Sequence, residues 1–245
     1  MELAEACAPD LKRVSLELGG NAPFLVFRDA NIPVAADLAM ACKFRNAGQA
    51  CVAGNRFLVD AGVEAEFVSE MTKRVKALKL GNGLDAGVDM GPLIDAGAVA
   101  RVDGLVREAI GKGAVCVCGG KTAPQGPNFY EPTILTGVTP EMRIFREEIF
   151  GPVVPVISFS TDEEAIELAN HTHYGLAAYA CLDRQTLIWE LYDKLQFGIL
   201  GINEVSLSSA EVPFGGVKDS GVGREGGAEA LLEYMEEKSM VLGNL

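Results

Sequence analysis

The chain has 245 residues, 49 % hydrophobic and 22 % charged, with a formal net charge of -13 from 34 acidic and 21 basic residues. That is a globular balance, enough for one large domain or one domain plus a tail. The acidity argues against a nucleic-acid or anionic-membrane surface, which needs clustered Lys and Arg, and no apolar run approaches the ~20 residues of a membrane span.

In chain order, Met1–Arg13 lacks the basic start and apolar core of a signal peptide. Arg13–Leu18 and Phe24–Phe27 are predicted strands, Val34–Ala47 a helix, Arg56–Val59 a strand and Glu64–Leu78 a helix. Ala98–Ile110 is a helix ended by Gly111-Lys112-Gly113. Ala114–Cys118 and Val153–Phe159 are predicted strands. Thr161 would cap a helix over Asp162–Ala169, with acids in the first turn where the helix dipole favours them. Leu176–Leu182 is a predicted strand, Thr186–Leu195 a helix and Ile199–Ile202 a strand. This rhythm predicts an α/β fold with a mostly parallel sheet. The Gly-rich Pro213–Gly227 follows, then a short helix over Ala228–Glu236 and a strand-like tail, Ser239–Leu242, suited to pairing with another chain. Six Cys at 7, 42, 51, 116, 118 and 181 are too scattered for a disulfide framework, which predicts free thiols and a soluble, cytoplasmic protein.

Three segments combine chemistry-bearing residues with turn-forming ones. Cys51 lies between a predicted helix and strand, flanked by Gly48 and Gly54. Such connections often carry reactive groups, although a lone Cys is more often a buried small hydrophobe. Glu17, in Leu16-Glu17-Leu18-Gly19-Gly20, is a carboxylate in an otherwise apolar strand. It is either paired there or held at a raised pKa for use. Glu148, two residues before Phe150, is either part of an acidic loop or a diol-binding carboxylate with a ring beside it.

Taken together, these segments resemble the aldehyde dehydrogenase superfamily in order and spacing. The resemblance rests on Glu-Leu-Gly-Gly at 17–20, Asn46-x-Gly48-Gln49-x-Cys51, Gly91-Pro92-Leu93, Glu148-Ile149-Phe150-Gly151-Pro152, Tyr174-Gly175-Leu176, Pro213-Phe214-Gly215-Gly216 and Lys218-x-Ser220-Gly221-x-Gly223-Arg224-Glu225. It implies the three-layer catalytic domain of that family, with an oligomerisation tail. It implies Cys51 as the nucleophile that forms a thiohemiacetal and then a thioester, with its backbone N–H donating to the oxyanion. It implies Glu17 as the base for thioester hydrolysis, and Glu148 and Phe150 as contacts of the nicotinamide ribose and ring of NAD or NADP.

Within the superfamily the pattern is most similar to succinate-semialdehyde dehydrogenases, through Lys43-Phe44-Arg45, Asn203-Glu204 with Ser208-Ser209, and Glu233-Tyr234-x-Glu236-x-Lys238. Arg45 and Ser208 would then bind the substrate's far carboxylate, with Phe214 beside the substrate. Glutarate semialdehyde differs by one methylene and is not separated by these residues. Position 53 is Ala, which removes the second Cys of a redox switch found in some similar enzymes.

The resemblance places residues 1–20 in a remnant of the cofactor-binding domain, 21–212 in the catalytic domain, and 213–245 in a return segment and oligomerisation tail. Most of the cofactor domain would lie upstream. The expectation is a homo-oligomer, with little oxidation by this chain alone or activity only with a partner chain supplying the other half. The competing readings are a non-catalytic module that keeps the fold and subunit interface, and a cofactor-free thioesterase. Gly221-Val222-Gly223-Arg224-Glu225-Gly226 matches a dinucleotide fingerprint, but no βαβ unit follows from it, so it reads as a structural loop. Cys116-Val117-Cys118 puts two thiols on one face of a strand without the partner ligands of a zinc site. His171 and His173 read as helix-end or surface residues.

Overall fold

Apolar runs that can be covered on both faces are what a parallel sheet requires. Four such runs form the middle of the sheet: β2 (Ala22–Val26), β3 (Gly54–Asp60), β6 (Val153–Phe159) and β7 (Ala177–Cys181), all buried almost throughout. In the computed structural model, which describes residues 2–244, three further strands extend them: β4 (Val115–Cys118), β5 (Thr133–Thr136) and β8 (Ile199–Ile202). The order is β4-β5-β6-β3-β2-β7-β8. All neighbours run parallel except β4, which is antiparallel to β5.

The chain begins this sheet in its middle with β2 and β3, jumps to the edge at β4, comes back inward through β5 to β6, then crosses past β3 and β2 to β7 and β8. Right-handed crossovers put the connecting helices of the two directions on opposite faces. α2 (Ile32–Phe44) and α3 (Glu64–Ala77) pack together on one side, and α6 (Asp162–Asn170) and α7 (Gln185–Lys194) cover the other. The result is the expected three-layer, mostly parallel α/β architecture.

Local sequence sets the helix starts. Asn31 accepts the Val34 N–H at 3.3 Å, Asp95 accepts the Ala98 N–H at 2.7 Å at the head of α4 (Ala96–Gly111), and Thr161 accepts the Glu164 N–H at 3.2 Å.

Several expectations change. The helix predicted to Ala47 stops at Phe44, because Asn46 and Ala47 take left-handed backbone angles. The strand predicted over Arg13–Leu18 is only β1 (Leu16–Glu17), paired antiparallel with β9 (Gly221–Val222) in a separate ribbon; the Gly-rich partner offers two extended residues. The helix over Ala228–Glu236 is a 3₁₀ turn, Glu229–Tyr234, and Ser239–Leu242 is not a strand. Among the described residues no strand pairs with that tail, and strand propensity without a ladder partner does not make a strand. Cys116 and Cys118 face consecutive partners, Leu135 and Ile134, so a bulge breaks the alternation expected of them.

Candidate active site at the amino ends of the strands

Four of the motif segments share one address, each leading into the amino end of a parallel strand. Gly19-Gly20 precede β2, Cys51 precedes β3, Glu148–Phe150 precede β6 and Tyr174-Gly175 precede β7. Because β3, β2 and β7 are neighbours and β6 lies beyond β3, segments far apart in sequence meet along one edge.

The contact between the first two segments is backbone to backbone. Gly20 is buried, and a Cβ there would collide with the carbonyl oxygen of Cys51. A side chain would push the Cys51 loop away, so this position needs glycine. Gly20 N–H also donates to Glu148 Oε1 at 2.8 Å, which brings the third segment in.

A buried polar network fixes these segments from beneath. Asn55 donates to Asn21 Oδ1 at 2.6 Å and to the Glu147 carbonyl at 2.9 Å, and accepts the Ile149 N–H at 2.8 Å. Asn21 donates to the Phe145 carbonyl at 3.0 Å. Arg56, with no exposed surface, donates to the carbonyls of Asn21, Leu168 and Ala169. No carboxylate pairs with it among the described residues, and burial brings its pKa down to about 9. Its charge is balanced by carbonyl dipoles and by the Phe145 ring, 5.1 Å from the guanidinium carbon. From outside, Arg101 on α4 donates to the carbonyls of Glu148 and Ile149 at 2.7 and 2.6 Å. Phe150 then takes φ 49°, a left-handed conformation that is costly for a bulky residue and collects at functional sites.

The site is electrostatically uncompensated. Burial raises the Cys51 thiol above its ordinary pKa, and the charges of Glu17 and Glu148 raise it further, while backbone amides oppose them. Burial and then Glu225 raise Glu17, against Arg224 and the Gly216 amide. Glu17 Oε2 is buried with no hydrogen-bond partner, a rare state for a carboxylate oxygen. Burial also raises Glu148, opposed by Gly20 N–H, Arg101 and Lys43. Lys43, 1 % exposed at the end of α2, is lowered by burial to about 7.

The structure therefore brings Cys51, Glu17 and Glu148 into one electrostatic neighbourhood. Phe150 lines a cavity of about 510 Å³ with Asn46, Gln49 and Pro92–Ile94. Ser208 and Phe214 line another, of about 410 Å³, with Glu225. Arg45 is exposed, makes no ion pair among the described residues, and lies close enough to Tyr179 to act on its hydroxyl. Nothing joins Arg45 to Ser208 directly. His171 caps the end of α6 and meets the Phe145 ring edge to face. Sequence reasoning missed Asn21, Asn55 and Arg56. Their signal was available: two polar residues, one of them Arg, inside a strand otherwise apolar from Phe57 to Val59.

Comparison with known proteins agrees with this geometry. The model of the aldehyde dehydrogenase family matches residues 1–240. The non-phosphorylating aspartate-semialdehyde dehydrogenase of Halomonas elongata is 49 % identical over 243 residues, covering 99 % of this chain and 49 % of the relative. The NADP(+) succinate-semialdehyde dehydrogenase of Escherichia coli is 46 % identical over 242 residues, covering 99 % of this chain and 50 % of the relative. The crystal structure of an Escherichia coli NADP-dependent enzyme superposes with a TM-score of 0.95 at 46 % identity, covering 96 % of this chain and 49 % of that one. Betaine aldehyde dehydrogenase from Staphylococcus aureus, solved with NAD+, gives 0.91 at 38 % identity, covering 95 % and 47 %. This chain thus spans about half the length of the relatives it matches. With the family match, the shared fold and the motif loops gathered at one sheet edge, the chain belongs to the aldehyde dehydrogenase family.

Proposed function

We propose that this chain supplies the nucleophile, the hydrolytic base and the nicotinamide-end contacts for NAD(P)-dependent oxidation of a carboxylated aldehyde, with succinate semialdehyde as the leading substrate. The observation that carries the proposal is the convergence of a half-buried thiol with two carboxylates of raised pKa, one with an oxygen that nothing satisfies. Such groups cost stability and are kept where chemistry uses them.

The Cys51 thiolate adds to the aldehyde carbonyl and forms a C–S bond, and the Cys51 backbone N–H donates to the resulting oxyanion. When bound, the nicotinamide supplies the hydride acceptor that takes the adduct to a thioester. Glu17 then removes a proton from water, the water oxygen attacks the thioester carbonyl, and the C–S bond breaks to release the acid and the thiol. A raised pKa places Glu17 nearer the working pH than an ordinary carboxylate. Glu148 fits the nicotinamide ribose: Gly20 N–H holds Oε1, while Oε2 accepts no hydrogen bond among the described residues. Phe150 offers its ring beside that carboxylate.

The substrate's far carboxylate falls to Arg45, an exposed and unpaired guanidinium, with Ser208 and Phe214 on the wall of the cavity they share. The names of the relatives support this class, since succinate and aspartate semialdehydes both carry a distal carboxylate. In this reading residues 21–212 are the catalytic domain, 1–20 belong to the cofactor-binding domain, and 213–245 return to the ribbon and oligomerise. Other polypeptide holds the adenine and phosphates. We place the protein in the cytoplasm as a homo-oligomer; among the described residues, no helix is long and apolar enough to cross a membrane.

The test is single-turnover. This chain, joined to the remaining half of the Escherichia coli succinate-semialdehyde dehydrogenase, receives succinate semialdehyde with NAD or NADP, and reduced nicotinamide is counted per chain. The proposal expects formation that disappears in Cys51→Ala, and an Arg45→Leu variant that loses more on succinate semialdehyde than on propanal. No reduced nicotinamide from a folded chain, or equal loss on both aldehydes, overturns the corresponding part.

A further inference from the structure

Between α2 and Cys51 the chain makes a turn that L-amino acids avoid. Asn46 has φ 53° and ψ 32°, Ala47 has φ 54° and ψ 31°, and Gly48 has φ 75°. Three consecutive left-handed residues are rare, since only glycine takes this conformation without cost; Asn tolerates it better than Ala. Ala47 is also 2 % exposed, so the turn is packed inward.

What holds it is a reciprocal clamp between two side chains. Asn46 Nδ2 donates to the Gln49 carbonyl at 2.8 Å, and Gln49 Nε2 donates to the Asn46 carbonyl at 3.0 Å. The Gln49 backbone N–H closes the same turn onto that carbonyl at 3.1 Å. Gln49 also reaches outward. Its Nε2 donates to the Pro92 carbonyl at 3.3 Å, and its Oε1 accepts the Ile94 N–H at 2.8 Å. A single residue, Ala50, separates this clamp from the nucleophile.

We propose that Gln49 is a positioning residue: together with Asn46 it clamps a strained left-handed turn that presents Cys51, and it ties that turn to the 92–94 segment. The proposal rests on Cys51 as the nucleophile, but its geometric content concerns only how the thiol is held. Without the clamp, the turn relaxes towards ordinary backbone angles. Cys51 then leaves its half-buried place against Gly20, and its thiol becomes more accessible and more acidic.

The readout is the rate of Cys51 carboxamidomethylation by iodoacetamide in the full chain at pH 7.5, with the modified site assigned by peptide mass spectrometry. It needs neither aldehyde nor cofactor, so it is separable from a failure of the proposed reaction. Gln49→Ala should raise the rate at least threefold. Adding Ala47→Gly should return it to within twofold of the parent, because glycine occupies the left-handed position without the clamp. A Gln49→Ala rate within twofold of the parent, or a rise that Ala47→Gly leaves untouched, overturns the proposal. Should Gln49→Ala fail to fold, the pair Asn46→Ala and Asn46→Gly decides instead. Both lose the Asn46 arm of the clamp, but only the first puts at position 46 a residue that avoids the left-handed region, so the alanine variant should be the faster by at least twofold. Equal rates overturn the proposal.

Discussion

The two ends of the same sheet treat charge in opposite ways. At the carboxyl ends of β2, β3, β6 and β7, the cations have partners: Arg28 meets Asp60 at 3.1 Å, and Arg184 meets Asp29 at 3.2 Å and Asp162 at 2.6 Å. A cavity of about 550 Å³ lies there, at the edge where doubly wound sheets usually bind ligands. At the amino ends, Lys43 and Arg56 are buried and Glu17 and Glu148 half-buried, none with an ion pair among the described residues, and backbone angles at Asn46, Ala47 and Phe150 are left-handed. Cavities of similar size lie at both ends, whereas the unrelieved electrostatic and conformational cost lies at one. In this fold the cost is the better guide, because a paired surface charge is stable as it stands, whereas an unpaired buried one has to be used or removed.

Substitutions should separate the two ends. The largest effect is expected from Glu17→Gln, a loss of roughly 10²–10⁴-fold in steady-state oxidation with the first equivalent of reduced nicotinamide preserved, since in the proposed reaction only hydrolysis uses Glu17. The same variant should lower the pH midpoint of Cys51 alkylation, because the Glu17 charge raises that thiol. An unchanged midpoint would separate the two residues electrostatically. Next, Asn55→Ala leaves the Ile149 N–H and the Asn21 side-chain oxygen without partners in a dry place. Urea unfolding should show a loss of about 2–4 kcal/mol.

Lys43→Met should change how stability depends on pH. The folded lysine titrates at about 7 against about 10.4 unfolded, so between these values the unfolded chain holds one more proton. The parent should therefore gain stability relative to the variant as pH rises from 7 to 8.5, by at most about 1.4 kcal/mol per pH unit. A difference independent of pH would mean that the lysine is not held neutral. The smallest effect belongs to the paired end: Arg184→Ala should cost about 1 kcal/mol or less and leave reduced-nicotinamide formation intact. Lost activity there would erase the contrast between the two ends.

How far the sequence could be read follows the same division. The sheet was legible because strands covered on both faces are written as unbroken apolar runs, as in Phe24–Phe27 and Val153–Phe159. Cys51, Glu17 and Glu148 were legible as motif residues, although their convergence needs the strand order. The left-handed turn was hidden because Ala47 keeps the apolar period of α2, so periodicity extended the helix over it. The neighbouring Asn46 and Gly48 were the available warning. The tail failed for a different reason: Met240, Val241 and Leu242 have strand-like character but stand exposed, with no ladder beside them.

The ribbon of β1 with β9 has a consequence for timing. Leu16 faces Val222 and Glu17 faces Gly221, so Glu17 is seated only after residue 222 has been made. β2 likewise waits for Tyr179 opposite Phe24 before its second edge is covered. At ribosomal speeds of 5–20 residues per second, roughly 10–30 s separate the synthesis of Cys51 from that of the strand that seats Glu17. For that interval the Cys51 thiol is fully exposed on a nascent chain, without the half-burial that the finished fold gives it.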